Sequence, residues 1–570
     1  MDDRFADFSR AFHAHFTADP NERVRKGVDR ALGELPDPSL EAARGRRGEA
    51  NRLLAKLDEI PLEDADFDTR LDADLARLML EREVHELEYR FNGKTRLEQM
   101  PCAGDEIGDG IFLLFIADPR PAAERLADIT ARLEAVPDYL RALRGRLDTP
   151  LARWRTMDVE KVEGLSDLFV SVSRWAGEIG WEGISRLEAA RPRAEAALDA
   201  YAKALQELPT TAQIHVGEQV ARRIVSLRGI DKSFAELHRI AADFLAETRE
   251  IVEELRGRLV RKYRLPSATG TAELETHLRE RYRLPLKNGD LDGILRRYEA
   301  EREHVLAFIR EHELFPILEQ QDMRILRTPP FMAPSIPAGA MMPPPPFREG
   351  VRRSLIYLTL SEELRDEHTE ISIPSMMIHE GIPGHHLQLA TASTHASVIR
   401  RHIEASEQAE GWTTMLEDYM LDVGYRGEVA DEIRFCGKRD LNRIGARVAI
   451  DLFFMTGDKS YLEVGIDCDL SSEDPFVAAG NLLAEVTGFV PGRVQAELNW
   501  YSQERGYPLS YLTGNRMVWE IKEQLARSQA GKLEGLALDR RFHELYLGSG
   551  NMPLTFFRRV LTEQGLLPRA

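Results

Sequence analysis

Pro383 and Gly384 interrupt the stretch that most limits how this chain can fold, Ile371-Ser-Ile-Pro-Ser-Met-Met-Ile-His-Glu-Gly-Ile-Pro-Gly-His-His-Leu-Gln388. It opens as a helix: Pro374 follows Ser372 closely, and a first turn tolerates proline because the missing N–H would have no partner there. His379-Glu380 then begins the pattern His-Glu-x-x-His. In that pattern two histidines one turn apart share a tetrahedral cation, and the intervening Glu takes a proton from water. Position 383, where the second histidine belongs, is proline. Its ring crowds the carbonyl of residue 379 and offers it no N–H, and it pushes Ile382 away from helical angles. No regular helix can run from His379 to His385 and His386.

On an ideal helix His386 would share a face with His379 but lie roughly 10 Å along the axis. That is too far for two imidazoles each about 2 Å from one ion. His385 would point to another side. A bulge that loops out two residues at Pro383-Gly384 brings His385 into the place of the missing ligand. His385 is therefore the favoured ligand with His386 as its neighbour, and the reverse assignment is the alternative. The plain alternative for the whole stretch is a proline-kinked core helix whose histidines have ordinary partners. Three of the 15 histidines fall between 379 and 386, beside a Glu and a Pro-Gly, which argues against it.

His379-Glu-Gly-Ile-Pro-Gly-His-His-Leu-Gln388 resembles the signature of the DUF885 family. The resemblance implies an all-α, gluzincin-type, metallopeptidase-like fold, two-lobed around a deep cleft, with a small β element near the active site. It also implies a Zn²⁺ centre, and it supplies no substrate. Ala409-Glu-Gly-Trp-Thr-Thr-Met-Leu-Glu417 is similar to the family's second motif. By that resemblance Glu410, 410 − 385 = 25 residues past His385, is the third metal ligand. Glu404, Glu407 and Glu428 compete on spacing alone, and the Gly-Trp that follows selects Glu410. Glu417 shares its helical face and would hold a ligand histidine from behind.

Weaker matches follow. Asn442 to Asp451 resembles the family's Arg-rich helix, with Arg447 and Asp451 in comparable places, but Thr456-Gly-Asp-Lys459 lacks the family's histidine. Gly506-Tyr-Pro-Leu-Ser-Tyr-Leu-Thr-Gly514 resembles another segment, with Tyr507 where the family has Gln. There the resemblance implies that Tyr511 steadies a developing oxyanion; an ordinary buried tyrosine is the alternative. Phe542 to Leu554 matches a closing motif that reads as helix termination and packing. Together the matches run over about residues 320 to 560.

The rest of the chain sets bounds. With 570 residues two or three lobes are expected: a helical scaffold lobe over 1–265 and a catalytic lobe over 266–570. A charge of 76 − 95 = −19 disfavours nucleic acid and anionic membrane as partners. Cys102, Cys436 and Cys468 are too few and too scattered for a disulfide framework or a Cys-based metal site. The acidic N-terminus lacks an apolar signal region, and no apolar run reaches about 18 residues. These features predict a cytoplasmic protein.

Apolar residues at three- and four-residue spacing predict helices near 72–92, 120–146 and 184–207, and a long one with Leu237, Ile240, Ala241, Phe244, Leu245, Ile251, Val252, Leu255 and Leu259 on one face. Pro and Gly clusters at 34–38, 100–110 and 147–150 read as breaks, 264–300 as a polar connector, and Leu291 to Phe308 as helix. The proline-dense run from Thr328 to Phe347 reads as an extended arm with apolar Phe331, Met332, Met341, Met342 and Phe347. Residues 354–360 are the best strand, placed by resemblance to pair with a substrate backbone.

The expected chemistry is hydrolysis of a short peptide or another amide. His379, His385 and Glu410 would hold Zn²⁺, Glu380 would act as general base, and Tyr511 would serve the oxyanion. The rivals are a zinc hydrolase of a non-peptide acyl or amide metabolite, and a catalytically silent helical binding protein.

Overall fold

Sequences rich in Leu, Ala, Glu and Arg at helical spacing make helices, and helices dominate the computed structural model, which describes residues 3–287, 289–328, 339–362 and 365–569. The expected helices appear at Phe67–Glu88, Ala122–Arg146, Ile184–Gln206 and Asp292–His312. The long one is α1 (Phe234–Tyr263). Ser233 starts it: its hydroxyl accepts from the Glu236 N–H, while the Glu236 carboxylate accepts from the Ser233 N–H. This reciprocal cap is worth about 1 kcal/mol. Leu237, Ala241, Phe244, Leu245, Val252, Leu255 and Leu259 are buried as expected, but Ile251 is exposed because Val252 takes the inward position of that turn.

Two readings are corrected. The supposed break at 100–110 is mostly the helix Ala103–Ile116. Its glycines are packing residues, since a Cβ on Gly110 would strike Arg132 and Asn21, and one on Gly104 would strike Lys161. The supposed connector at 264–300 contains the helix Thr271–Arg281.

The β element is a three-stranded sheet of β1 (Gln321–Arg327), β2 (Gly339–Met342) and β3 (Arg352–Leu358), in the order β1-β3-β2. β3 lies two residues before the expected 354–360. It runs parallel to β1, from Gln321 opposite Arg352 to Arg327 opposite Leu358, and antiparallel to β2. After β2 the proline run is docked: the Phe347 N–H donates to the Lys26 carbonyl, and the Phe347 ring packs on His13 and His402. Phe331 and Met332 lie outside the described residues.

Four more helices frame the centre: α2 (His385–Ala392), α3 (Ser406–Asp422), α4 (Ala430–Thr456) and α5 (Ser510–Gln529). One apolar core joins Phe5, Phe8 and Phe12 near the N-terminus to Trp412 and Met415 of α3 and to Phe542 and Phe557. A second joins Phe234 and Phe244 of α1 to Phe453 and Phe454 of α4 and to Leu512 of α5. Each core draws on both sides of position 265.

Candidate metal centre

The break around Pro383 is built from local chemistry. A short helix, Ser372–Met376, passes into one π-helical turn, Met377–Gly381. Ile382 then turns extended, at φ −114° and ψ 128°, as the following proline demands. Gly384 sits so close to the turn that a Cβ there would strike the carbonyl oxygens of Ile378 and His379. The chain re-enters helix at His385, the first residue of α2. The expected bulge within one helix is thus a break between two. Trp412 of α3 secures it, donating its indole N–H to the Pro383 carbonyl at 2.9 Å.

This break brings His379, His385 and Glu410 together. Their candidate ligand atoms all lie within 4.8 Å of one another. Glu410 Oε2 is 3.7 Å from His379 Nε2 and 3.5 Å from His385 Nε2. Neither is a hydrogen bond, and Glu410 Oε2 is buried without a hydrogen-bond partner. Ligand atoms about 2.0–2.2 Å from a tetrahedral cation stand about 3.3–3.6 Å apart. A buried, orphaned carboxylate oxygen facing two imidazole nitrogens at such separations fits a zinc-type donor set.

The surroundings divide the labour. His379 Nδ1 donates to Glu417 Oε1 at 2.8 Å, two turns along α3 from Glu410, which turns Nε2 inward. His386 has both ring nitrogens taken: Nδ1 accepts from the Ser354 hydroxyl of β3 at 2.7 Å, and Nε2 donates to Gln321 of β1. It anchors α2 to the sheet, and burial pushes its imidazole down to about 4. Glu380 is half-buried and makes no hydrogen bond or ion pair among the described residues. Burial opposes charge on His379, yet Glu410 and Glu417 outweigh it and push the imidazole up to about 10. Burial likewise opposes charge on Glu410, and His385 and His379 hold it far below the usual carboxylate range.

A tyrosine pair closes one side. Tyr507, which marked only a departure from the family pattern in the sequence, donates its hydroxyl to Glu410 Oε1 at 3.2 Å. Tyr511 is one step behind, its hydroxyl 3.5 Å from that of Tyr507. Arg447 supports Tyr511 from α4, its guanidinium carbon 4.5 Å from the ring centre. Asp451, one turn on, accepts from the N–H groups of Gly506 and Leu509 and so holds the loop that carries Tyr507. Burial pushes Asp451 up to about 7 despite these bonds. The closing motif packs as expected: His543 is fully buried against Phe315 and Trp412, and Tyr546 donates to the Gln408 carbonyl of α3.

The signals for the missed residues were weak. Tyr507 stands one helical turn before Tyr511, and Ser354 is the one small hydroxyl of β3. Gln321 had no signal at all.

No curated protein matches the chain. Solved structures that share its fold include two described as putative lipoproteins. One, from Shewanella oneidensis, is described as "a putative lipoprotein of unknown function" and is 16% identical, with a TM-score of 0.75 over 98% of this chain and 99% of that one. The other, from Colwellia psychrerythraea, is described as a "putative lipoprotein" and is also 16% identical, with a TM-score of 0.81 over 99% of this chain and 98% of that one. Lipoproteins are tethered to membranes, so these relatives overturn the cytoplasmic expectation. Scattered cysteines and an acidic N-terminus do not decide the compartment. Among the described residues no helix is long and apolar enough to cross a membrane. The model of the family described as "Bacterial protein of unknown function (DUF885)" matches residues 20–561, and the chain belongs to that family.

Proposed function

We propose that this chain is a zinc-dependent hydrolase that cleaves the amide bond of a short peptide or amide conjugate. The observation that carries the reading is the convergence of His379 Nε2, His385 Nε2 and the orphaned Glu410 Oε2, with Glu380 unengaged beside them. Those three side chains would hold the ion. A zinc ion there supplies Lewis acidity, polarising a carbonyl and making a water easier to deprotonate.

The chain's own residues supply the rest. Glu380 takes the proton from the water and passes it to the leaving amine. Tyr507 directs its hydroxyl proton to Glu410, and Tyr511 beside it offers a hydroxyl donor for charge developing on the carbonyl oxygen. Glu417 fixes which nitrogen His379 presents, and His386, tied to β1 and β3, fixes where α2 begins. In this reading residues 1–265 wall a cleft and 266–570 carry the chemistry.

Glu380→Gln tests the assignment. It should keep about one zinc per chain and lose about 10²–10⁴-fold in turnover on whichever amide a peptide and acyl-amide panel identifies. Undiminished turnover in that variant would remove Glu380 from the mechanism.

A further inference from the structure

A cavity of about 640 Å³ lies between the proline run 343–346, the sheet, the far end of α2 from His385, and the short helix Val398–His402. Met341, Met342, Leu355 and Leu389 give the cavity apolar walls. Its size is in the range of small-molecule sites.

Seven cations also line it: Arg25, Lys26, Arg348, Arg352, Arg353, Arg400 and Arg401. Five have carboxylate partners. Arg25 pairs with Glu22 and Asp109, Lys26 with Glu404, Arg348 with Asp29, Arg353 with Asp322, and Arg400 with Asp72. Arg352 and Arg401 have none among the described residues. Arg352 donates to the Arg348 carbonyl. Among the described residues Arg401 donates only to the Pro346 carbonyl, at 3.4 Å, and its buried Nε has no partner. Phe347 fixes its plane, with the guanidinium carbon 4.7 Å from the ring centre.

Burial first, then the charge of Arg352, lowers the basicity of Arg401, so the two cations work against each other. Of the acids at the cavity, Asp109, Asp118 and Glu404 are held by other cations, and Glu349 forms no ion pair among the described residues, although its charge favours that of Arg352. Two half-buried like charges that no carboxylate contacts directly favour a bound anion. The apolar walls favour a ligand with an apolar body.

We infer that this cavity binds an amphiphilic carboxylate, a single acid group joined to an apolar chain, with Arg352 and Arg401 holding the acid. The inference does not depend on a metal at His379.

The test is fluorescence titration of the full chain with 11-(dansylamino)undecanoate, followed by displacement. Decanoate should displace the probe at least about 10-fold better than decan-1-ol, as expected for a charge-assisted hydrogen bond. Millimolar inorganic phosphate should not displace it. Arg401→Gln should weaken the probe about 10-fold and Arg352→Gln/Arg401→Gln further, with unchanged unfolding midpoints. The acid–alcohol comparison uses the unmodified chain and stands if a variant fails to fold. No saturable binding, equal displacement by acid and alcohol, displacement by phosphate, or an unaffected and folded Arg401→Gln would each overturn the inference.

Discussion

Replacing Gly514 with Ala probes the contact that places the tyrosines beside Glu410. Gly411 in α3 and Gly514 in α5 face each other. A Cβ on Gly411 would lie 2.5 Å from the Gly514 carbonyl carbon, and one on Gly514 would lie 2.8 Å from the Glu407 carbonyl carbon, whereas ordinary contact begins at 3.4 Å. Both obstacles are helix backbone and cannot swing aside. Relief requires the helices to part by more than 3.4 − 2.8, about 0.6 Å, because the Glu407 carbonyl oxygen stands nearer still, and overpacking of this kind costs about 1–3 kcal/mol. The Tyr507–Glu410 hydrogen bond, already 3.2 Å, has no slack for that movement. His379, His385 and Glu410 all lie on the α3 side. Gly514→Ala should therefore lower the urea midpoint and turnover while keeping zinc. Gly164→Ala is the control: Gly164 sits in the helix Ala152–Glu178 with nothing within 4 Å of a Cβ, and should gain about 0.5–1 kcal/mol. A Gly514→Ala protein as stable as wild type would refute the backbone contact.

The adjacent histidines should separate cleanly. His385→Ala should lose zinc with little change in the stability of the metal-free protein. His386→Ala should keep zinc but lose about 1–3 kcal/mol for the buried Ser354 left bare, and less for half-buried Gln321, by denaturant titration; the opposite pattern would reverse the assignment. Acid should also weaken the fold early. Burial pushes His368 and His395 down to about 4, and burial with nearby Lys26 pushes His402 down to about 2. The unfolded chain binds protons at these positions near 6.5 while the folded chain does not. The stability they contribute is therefore complete above about 6.5 and lost as pH falls towards 4, by up to about 1.4 kcal/mol per pH unit for each ring. Asp451, Glu106 and Glu407, pushed up to about 7 mainly by burial, act in the opposite sense, so the rings are read by difference. His395→Gln should lessen the loss of stability between about pH 6.5 and 4, and an unchanged slope would contradict this.

The cluster was legible partly from local chemistry and partly through the resemblance that picks out Glu410. Pro383 forbids a regular helix between the histidines, and the Gly-Trp after Glu410 turns out to have two mechanical uses. Gly411 lets α5 approach, and Trp412 holds the Pro383 carbonyl. What could not be read depends on contacts between distant segments. Tyr507 gains its role only because Asp451 holds its loop against α4. β1 was missed because Asp322 and Arg324 alternate with buried Met323 and Ile325, a pattern too short and too charged to stand out. The helix Ala103–Ile116 was hidden by glycines whose reason, the nearness of Arg132 and Lys161, exists only in the fold.

X-ray absorption on the chain loaded with one equivalent of zinc is the most direct measurement of the central claim. The account predicts a site with two imidazole nitrogens and a carboxylate oxygen at about 2.0–2.2 Å, lost in His379→Ala. A zinc environment without imidazole, or one unchanged in His379→Ala, would contradict it.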